Sequence, residues 1–473
     1  MIGQSEPQAK WVMVGSLRKL LPDDHILVQV DRVLDLSWLA AEVGDAYSPD
    51  QGRPSIPPTA ALRLMLAGFF QNITHDRALL REAQVNLAIR WFAGYQLDDR
   101  LPHHSSLTRV RQRWGAARFR RIFARTVQQC IAAGLVNGET VHVDATLIRA
   151  DVSWESLTTD YATRVLAANE TADDDSDPAP PKPGKKRSTT DPDATLATSR
   201  KDQRLEPSYK QHTAVDDHRG VVVTVDLTTG EANEGRHLPT LLDEVEAVVG
   251  RRPAVVTADG GYAHAANYQY LEEAGIAAVI PPQPRTARAG RVPARRFKYD
   301  ARQQVVRCPA GQTLTRRTRT GHGWLFRAAP STCRDCPLRK QCVPATAKSR
   351  TVLIVDGYEA LLRARRKRQR WGPTEYRLYS RHRWRAEGAH AEAKTRHGLR
   401  RAIRRGLDNV AIQAYLTAAV MNLKRLAALL GSFFAPFRRV RTRYHLIIRA
   451  LSKITRRFCA PAVEQGKYAW AAI

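Results

Sequence analysis

Apolar and polar positions divide the chain into stretches of different period. Between 54 and 135 the apolar residues recur at helical spacing. "PPTAALRLMLAGFFQN" places Leu62, Leu64, Met65, Leu66 and Phe69 as a buried helix would. "THDRALLREAQVNLAIRWFAG" opens on a Thr/Asp cap signal and continues through Leu79, Leu80, Val85, Leu87 and Ile89. A further helix follows in "LPHHSSLTRVRQRWGAARFRRIFARTVQQCIAAGL", with Ser105 or Ser106 as its cap. After "NGET" the period shortens. "VHVDATLIRA" (141–150) reads as a strand. Residues 209–230 read as a hairpin turning at Asp217–Gly220, with Val221–Val225 in its second strand. "LPTLLDEVEAVVG" is a helix ending on Gly250, and the apolar run after it ends on Asp259. "YAHAANYQYLEEAG" is another helix and "IAAVIPPQ" another strand. Strand, hairpin, helix, strand, helix, strand predicts an α/β fold, a mixed sheet with helices against it. A helical block resumes near 375 and runs to about 431.

Two stretches break this order. Residues 170–203, rich in Pro, Asp, Ser and Lys, read as a flexible insertion. Residues 284–375 are strongly basic and hold four of the six cysteines. The expected organisation is a helical region over 1–135, a first core segment over 136–283, a basic Cys-containing insertion over 284–375, C-terminal core helices over 376–431 and a basic tail over 432–473. The tail carries Arg438, Arg439, Arg441, Arg443, Arg456 and Arg457, and no internal repeat is visible.

Charge changes the picture more than length does. The 473 residues carry 75 Lys and Arg against 46 Asp and Glu, a formal charge of +29, which points to a polyanionic partner. Arg109, Arg111, Arg113, Arg118, Arg120 and Arg121 crowd one helix, and a DNA-backbone surface is the reading favoured over a merely solvated face. The start "MIGQSEPQAKWVMVG" lacks the pattern of a signal peptide, and Lys424 and Arg425 break the most apolar late stretch. The expectation is a cytoplasmic, nucleoid-associated DNA binder with no membrane partner.

Three acids then stand out. Asp259 closes an apolar strand against an open glycine turn; it reads either as a helix N-cap or as a metal ligand. Asp144 lies mid-strand, where burial is costly unless the charge is paired or coordinates a metal. In "RHRWRAEGAHAEAKTRHGLRRAIRRG", a uniform helix projects Arg383, Glu387 and Lys394 within about 40° of one another, an acid flanked by two bases. On the same projection Glu392 falls some 140° from Glu387, as a solvated or helix-pairing charge.

In this order Asp144, Asp259 and Glu387, separated by 115 and 128 residues, resemble the acidic triad of bacterial insertion-sequence DDE transposases. "VHVDATLIRADVS" resembles the first-acid strand and "TADGGY" the second-acid turn. Arg383, Glu387 and Lys394 resemble the signature R, three residues, E, six residues, K. "RPSIPPTAALRLMLAGFF…HHSSLTRVRQRWG" resembles the InsH-type helical N-terminal region of the same elements, and the likeness spans roughly residues 50–430. Two positions depart from the pattern. Gly260 stands where a lysine is usual, and the signature tyrosine falls at Ser380, with Tyr379 one position off and Tyr376 on the Glu387 face.

The resemblance implies an RNase H-like core that binds terminal inverted repeats, cuts DNA strands and joins the freed 3′-OH to target DNA. It implies two Mg²⁺ ions, with Mn²⁺ as an alternative, held by Asp144, Asp259 and Glu387, with Arg383 and Lys394 on phosphates. It also implies a homodimer on paired double-stranded DNA ends. The alternatives are a metal-dependent nuclease that never joins, and a non-catalytic DNA-binding regulator derived from a transposase.

The cysteines suggest a second metal. Cys333 and Cys336 form a CxxC half-site, and Cys308 and Cys342 would complete a tetrahedral thiolate set for structural Zn²⁺. Four reduced thiols without metal are the alternative. Cys130 and Cys459 read as ordinary residues.

Overall fold

The computed structural model describes residues 15–48, 55–152, 157–159, 186–197, 205–283 and 292–429. The expected basic tail with its arginines, Cys459 and most of the 170–203 stretch lie outside the described residues.

Helix α1 (Pro58–Phe70) starts with Pro in its first turn, where the missing N–H costs nothing, and buries Leu62, Leu64, Met65, Leu66 and Phe69 as their spacing predicts. The next helical pattern is two helices, α2 (Asp76–Val85) and α3 (Leu87–Ala93). Asn86 divides them with extended backbone, and its side chain accepts from the N–H groups of Ala88 and Ile89. One residue used as a cap barely disturbs the apolar period, so the pattern conceals the break. In α4 (His104–Ala132) the cap is His103, which accepts from the Ser105 N–H. Gly115 interrupts that helix at φ +69°, a conformation that favours glycine.

Five strands form the centre: β1 (Thr140–Arg149), β2 (Glu206–Asp216), β3 (Val222–Thr229), β4 (Val255–Ala258) and β5 (Ala277–Val279). Their spatial order is β3-β2-β1-β4-β5. The first three pair antiparallel, while β4 runs parallel to β1 and β5 to β4. Parallel neighbours need crossovers, supplied by α5 (Leu238–Val249) and α6 (Ala265–Glu273). This is the RNase H-like mixed sheet the resemblance implied. Residues Lys186–Ser188 and Thr195–Ala197, inside the stretch read as flexible, pair into the same sheet. Between them Asp191 is buried and accepts the Tyr209 hydroxyl at 2.6 Å.

The cysteine-bearing segment folds as two small three-stranded sheets around its own core of Phe297, Val306, Leu314 and Phe326. Its last strand ends at Val355. Helix α7 (Tyr358–Gln369) follows, inside the 284–375 span, yet it places Ala360 in the main core. Helices α8 (Pro373–His382) and α9 (Gly388–Arg396) are joined by a π-helical turn, Arg383–Glu387. Helix α10, residues 407–429, is the apolar late stretch, and it lies buried in the core from Val410 to Leu423. No helix among the described residues is long and apolar enough to cross a membrane.

The N-terminal helices and the sheet share one continuous core, in which Phe123 of α4 stacks on Tyr415 of α10. A buried ion cluster adds to it. Asp76 accepts from Thr108 and Arg111 of α4 and from Arg404 at 2.8 Å.

Candidate active site

Alternate strand residues share a face, so β1 presents His142 and Asp144 together. Beside them lie Thr257, paired with His142 across the parallel ladder, and Asp259 just beyond the end of β4. Asp144 is largely buried. One oxygen accepts the Ala145 N–H at 2.8 Å and the other lies 3.3 Å from His390 Nδ1. Burial pushes its carboxyl up, but the hydrogen bond and charge of His390, then His382 and the Ala145 amide, outweigh that and hold it below the usual range. Asp259 accepts the Gly261 N–H at 2.8 Å and so caps a single 3₁₀ turn, Gly260–Tyr262. The two sequence readings of Asp259 therefore coexist, since the cap occupies one oxygen only. Burial, with the charges of Asp144 and Glu234, raises its carboxyl despite the amide. Among the described residues no basic side chain lies within ion-pair distance of Asp259.

Helices α8 and α9 lie over this face. Glu387 stands in the π-helical turn with its side chain 55% exposed, 3.8 Å from Arg383. A π turn absorbs one extra residue. The uniform projection of Arg383, Glu387 and Lys394 therefore fails across 383–387. Tyr379 stacks parallel on His382, and its hydroxyl is raised by burial and then by the charges of Asp259 and Glu387. Ser380 is exposed, and Tyr376 is exposed and held by Arg368 away from the acids. Lys394 is half-buried; burial and then Arg400 lower its ammonium, while Asp144 opposes them. Glu392 is not solvated. It takes hydrogen bonds from Lys424 at 2.5 Å and Arg425 at 3.3 Å and lies 3.6 Å from His397.

A chain of polar partners runs under the acids. His142 donates from Nε2 to Asp217, 2.9 Å away, and its Nδ1 then accepts the Thr257 hydroxyl at 2.6 Å. The same oxygen accepts from His382 Nδ1 at 3.1 Å. Burial lowers both imidazoles, which keeps them neutral, so these partners assign His382 Nε2 as an unprotonated acceptor. That atom, His390 Nε2 and the Tyr262 hydroxyl are buried with no hydrogen-bond partner. Two neighbouring carboxylates, one of them raised by the charge of the other, beside orphaned polar atoms, are a donor set suited to a hard divalent cation. No three His, Cys, Asp or Glu side chains among the described residues converge closely enough to form a finished cage.

Residues 173–423, more than half of the chain, match the family described as "Transposase DDE domain", and residues 15–113 match "Transposase domain (DUF772)". The chain belongs to the DDE transposase family. No curated protein matches it. The solved structures it is similar to include a piggyBac transposase synaptic complex with hairpin DNA, at 13% identity and a TM-score of 0.31, over 95% of this chain and 86% of that one. Another is a Mos1 transposase paired-end complex with left transposon end, at 10% identity and a TM-score of 0.17, over 51% and 65%.

In this transposase six of the seven arginines of α4, those from Arg109 to Arg121, divide by environment. Arg111 is buried against Asp76; burial first, then the charge of Arg404, brings its guanidinium down to about 10. Arg118 pairs with Asp45 at 2.5 Å, Arg121 with Glu42 at 2.5 Å, and Arg120 with Glu244. Arg109 and Arg113 are exposed, Arg113 lying over the Tyr47 ring. With Arg100 and His103 they line an open groove of about 730 Å³. Cys308, Cys333, Cys336 and Cys342 line one cavity of about 30 Å³ in the insertion. Burial, and then the neighbouring thiols against Arg350, raises Cys342.

Sequence reasoning missed His382, His390, Tyr262 and Glu234. The histidines, five residues before and three after Glu387, carried a readable signal. Glu234, in the polar stretch "TTGEANEGRH", carried none.

Proposed function

We propose that this transposase binds the inverted-repeat ends of its element, cleaves DNA strands there and transfers the freed 3′-OH to target DNA. The observation that supports the reading is the placement of Asp144 and Asp259, distant in sequence, beside each other on parallel neighbours, with the turn that carries Glu387 packed on the Asp144 strand. Asp144 and Asp259 share one face of adjacent parallel strands, and the Tyr379 hydroxyl senses both Asp259 and Glu387. Asp144, Asp259 and Glu387 would hold divalent ions, which when bound supply Lewis acidity for an attacking water and a leaving 3′ oxygen. The chain's own part is to position. Arg383 and Lys394 contact phosphates on either side of the acids, and Trp384, 81% exposed, offers a flat face to a base. Arg109 and Arg113, in their groove, contact the backbone of the element's end. Two protomers working on paired ends would bring two such sites to one target.

The test is a plasmid bearing the inverted repeats that flank the gene, incubated with Mg²⁺ and target DNA. Cut 3′ ends covalently joined to target are expected. Cutting without joining makes the protein a nuclease, and binding without cutting makes it a regulator.

The four cysteines, gathered on one cavity with turns at Cys308–Gln312 and Cys336–Arg339, are proposed to bind one structural zinc. Elemental analysis of protein purified without chelator should give about one zinc per chain, lost on Cys333→Ser. Absence of zinc would leave the thiols as bystanders.

A further inference from the structure

We infer that Glu234 is a fourth carboxylate of the acid site and a ligand for a divalent cation shared with Asp259. This rests on the reading of Asp144 and Asp259 as metal ligands. Glu234 opens a 3₁₀ turn, Glu234–His237, that packs against the turn following Asp259. Two features hold these turns together. Asn267, buried, donates to the Gly235 carbonyl at 2.8 Å and to the Tyr262 carbonyl at 2.9 Å, joining them through one amide. Gly235 lies so close to the His264 ring that a Cβ there would stand 1.9 Å from it. The turns therefore approach closely, with Gly235 against the His264 ring and one carbonyl of each turn on the Asn267 amide.

The approach places two carboxylates around one point. The position a Gly261 Cβ would take is 2.9 Å from an Asp259 oxygen and 2.9 Å from a Glu234 oxygen. A second observation points into the same space. The Tyr262 hydroxyl, on a fully buried side chain without a partner, is pushed well up by burial and then by the charges of Asp144, Glu234 and Asp259. A fully buried hydroxyl without a hydrogen bond, in the field of three carboxylates, suits an oxygen-rich cation site with its water.

The acids are kept apart by basic groups of the chain. Asp144 faces His390, Glu387 faces Arg383, and Glu234 faces Lys210 at 3.1 Å, Lys210 also donating to the Ala232 carbonyl. Lys210 sits on Glu234 Oε1, while Oε2 is the oxygen turned toward Asp259, so Lys210 and a cation would share one carboxylate and repel each other through it. This repulsion sets the sign of the test.

Mn²⁺ binding to the full-length protein is followed by the paramagnetic resonance signal of free Mn²⁺, with thermal unfolding recorded in parallel. Glu234→Gln should weaken the tightest Mn²⁺ site by about 10-fold or more, and Asp259→Asn likewise. Lys210→Met should tighten it, because a repelling charge is removed. A merely structural Lys210–Glu234 pair predicts instead that both variants lower the melting temperature and neither moves Mn²⁺ affinity beyond about twofold, which would overturn the inference. Weakened binding in Lys210→Met would overturn it as well. Should Glu234→Gln fail to fold, Glu234→Asp, which keeps the charge but draws it back by one methylene, is expected to fold and to weaken Mn²⁺. A wild-type protein that binds Mn²⁺ through Glu234 yet cuts no DNA would uphold this inference while defeating the proposed activity.

Discussion

Glu387 and Glu392 sit five residues apart around one helical junction, yet their surroundings are opposite. Glu392 receives Lys424 and Arg425 and lies beside His397, so its charge is consumed by the fold. Among the described residues Glu387 keeps one long ion pair, to Arg383, and an exposed carboxylate whose charge reaches Tyr379. The same contrast recurs between Asp76, enclosed by Arg111 and Arg404, and Asp259, which has no ion pair among the described residues. A basic protein has cations enough for every acid. Those it leaves without a full complement are the ones free to hold something else.

The sharpest way to break this comparison is Glu387→Gln. Strand cleavage should fall by at least about 10²–10³-fold, the scale of one preorganised electrostatic contact, while DNA binding and melting temperature hold. Asp76→Asn should do the reverse, leaving Arg111 buried and unpaired. A stability loss of roughly 3–5 kcal/mol in denaturant unfolding is expected, and a loss under 1 kcal/mol would remove Asp76 from the tertiary ties.

Glu392→Gln should cost about 2–3 kcal/mol, discounted for the partial exposure of the group, with cleavage retained below the melting temperature. Its pH dependence follows. Burial pushes the Glu392 carboxyl up, but His397, Arg425 and Lys424 outweigh that and hold it far below the usual range. A carboxyl depressed in the folded state stabilises above its unfolded value of about 4.3, and that stabilisation fades as pH falls below it. The wild type should therefore lose its advantage over Glu392→Gln on acidification below about pH 4. An advantage that grew on acidification would contradict the ion cluster.

The smallest effect concerns the arginines. Arg109→Ala and Arg113→Ala should each flatten the log–log salt dependence of DNA binding by about one unit, and leave stability alone. Arg111→Ala should instead unfold the protein more readily, since its charge serves Asp76. An equal change in salt slope for all three would mean that burial does not sort them.

Much of the fold was legible because it depends on period. Helix α1, strand β1, the β2–β3 hairpin and the strand ending in Asp259 follow from where apolar residues recur, and the order of those elements fixes a mixed sheet. Asp144 and Asp259 were visible because a charge inside an apolar strand is costly enough to stand out. What the sequence could not decide depends on contacts between distant segments or on departures from uniform geometry. The division at Asn86 and the π turn at Arg383–Glu387 are local breaks in period that a constant angle per residue conceals. Whether Arg111 meets DNA or Asp76, whether Glu392 is solvated, and whether Glu234 stands beside Asp259 were settled by packing. A residue's charge is written in the chain, but the partners that consume it or leave it free are brought up only when remote segments fold against it.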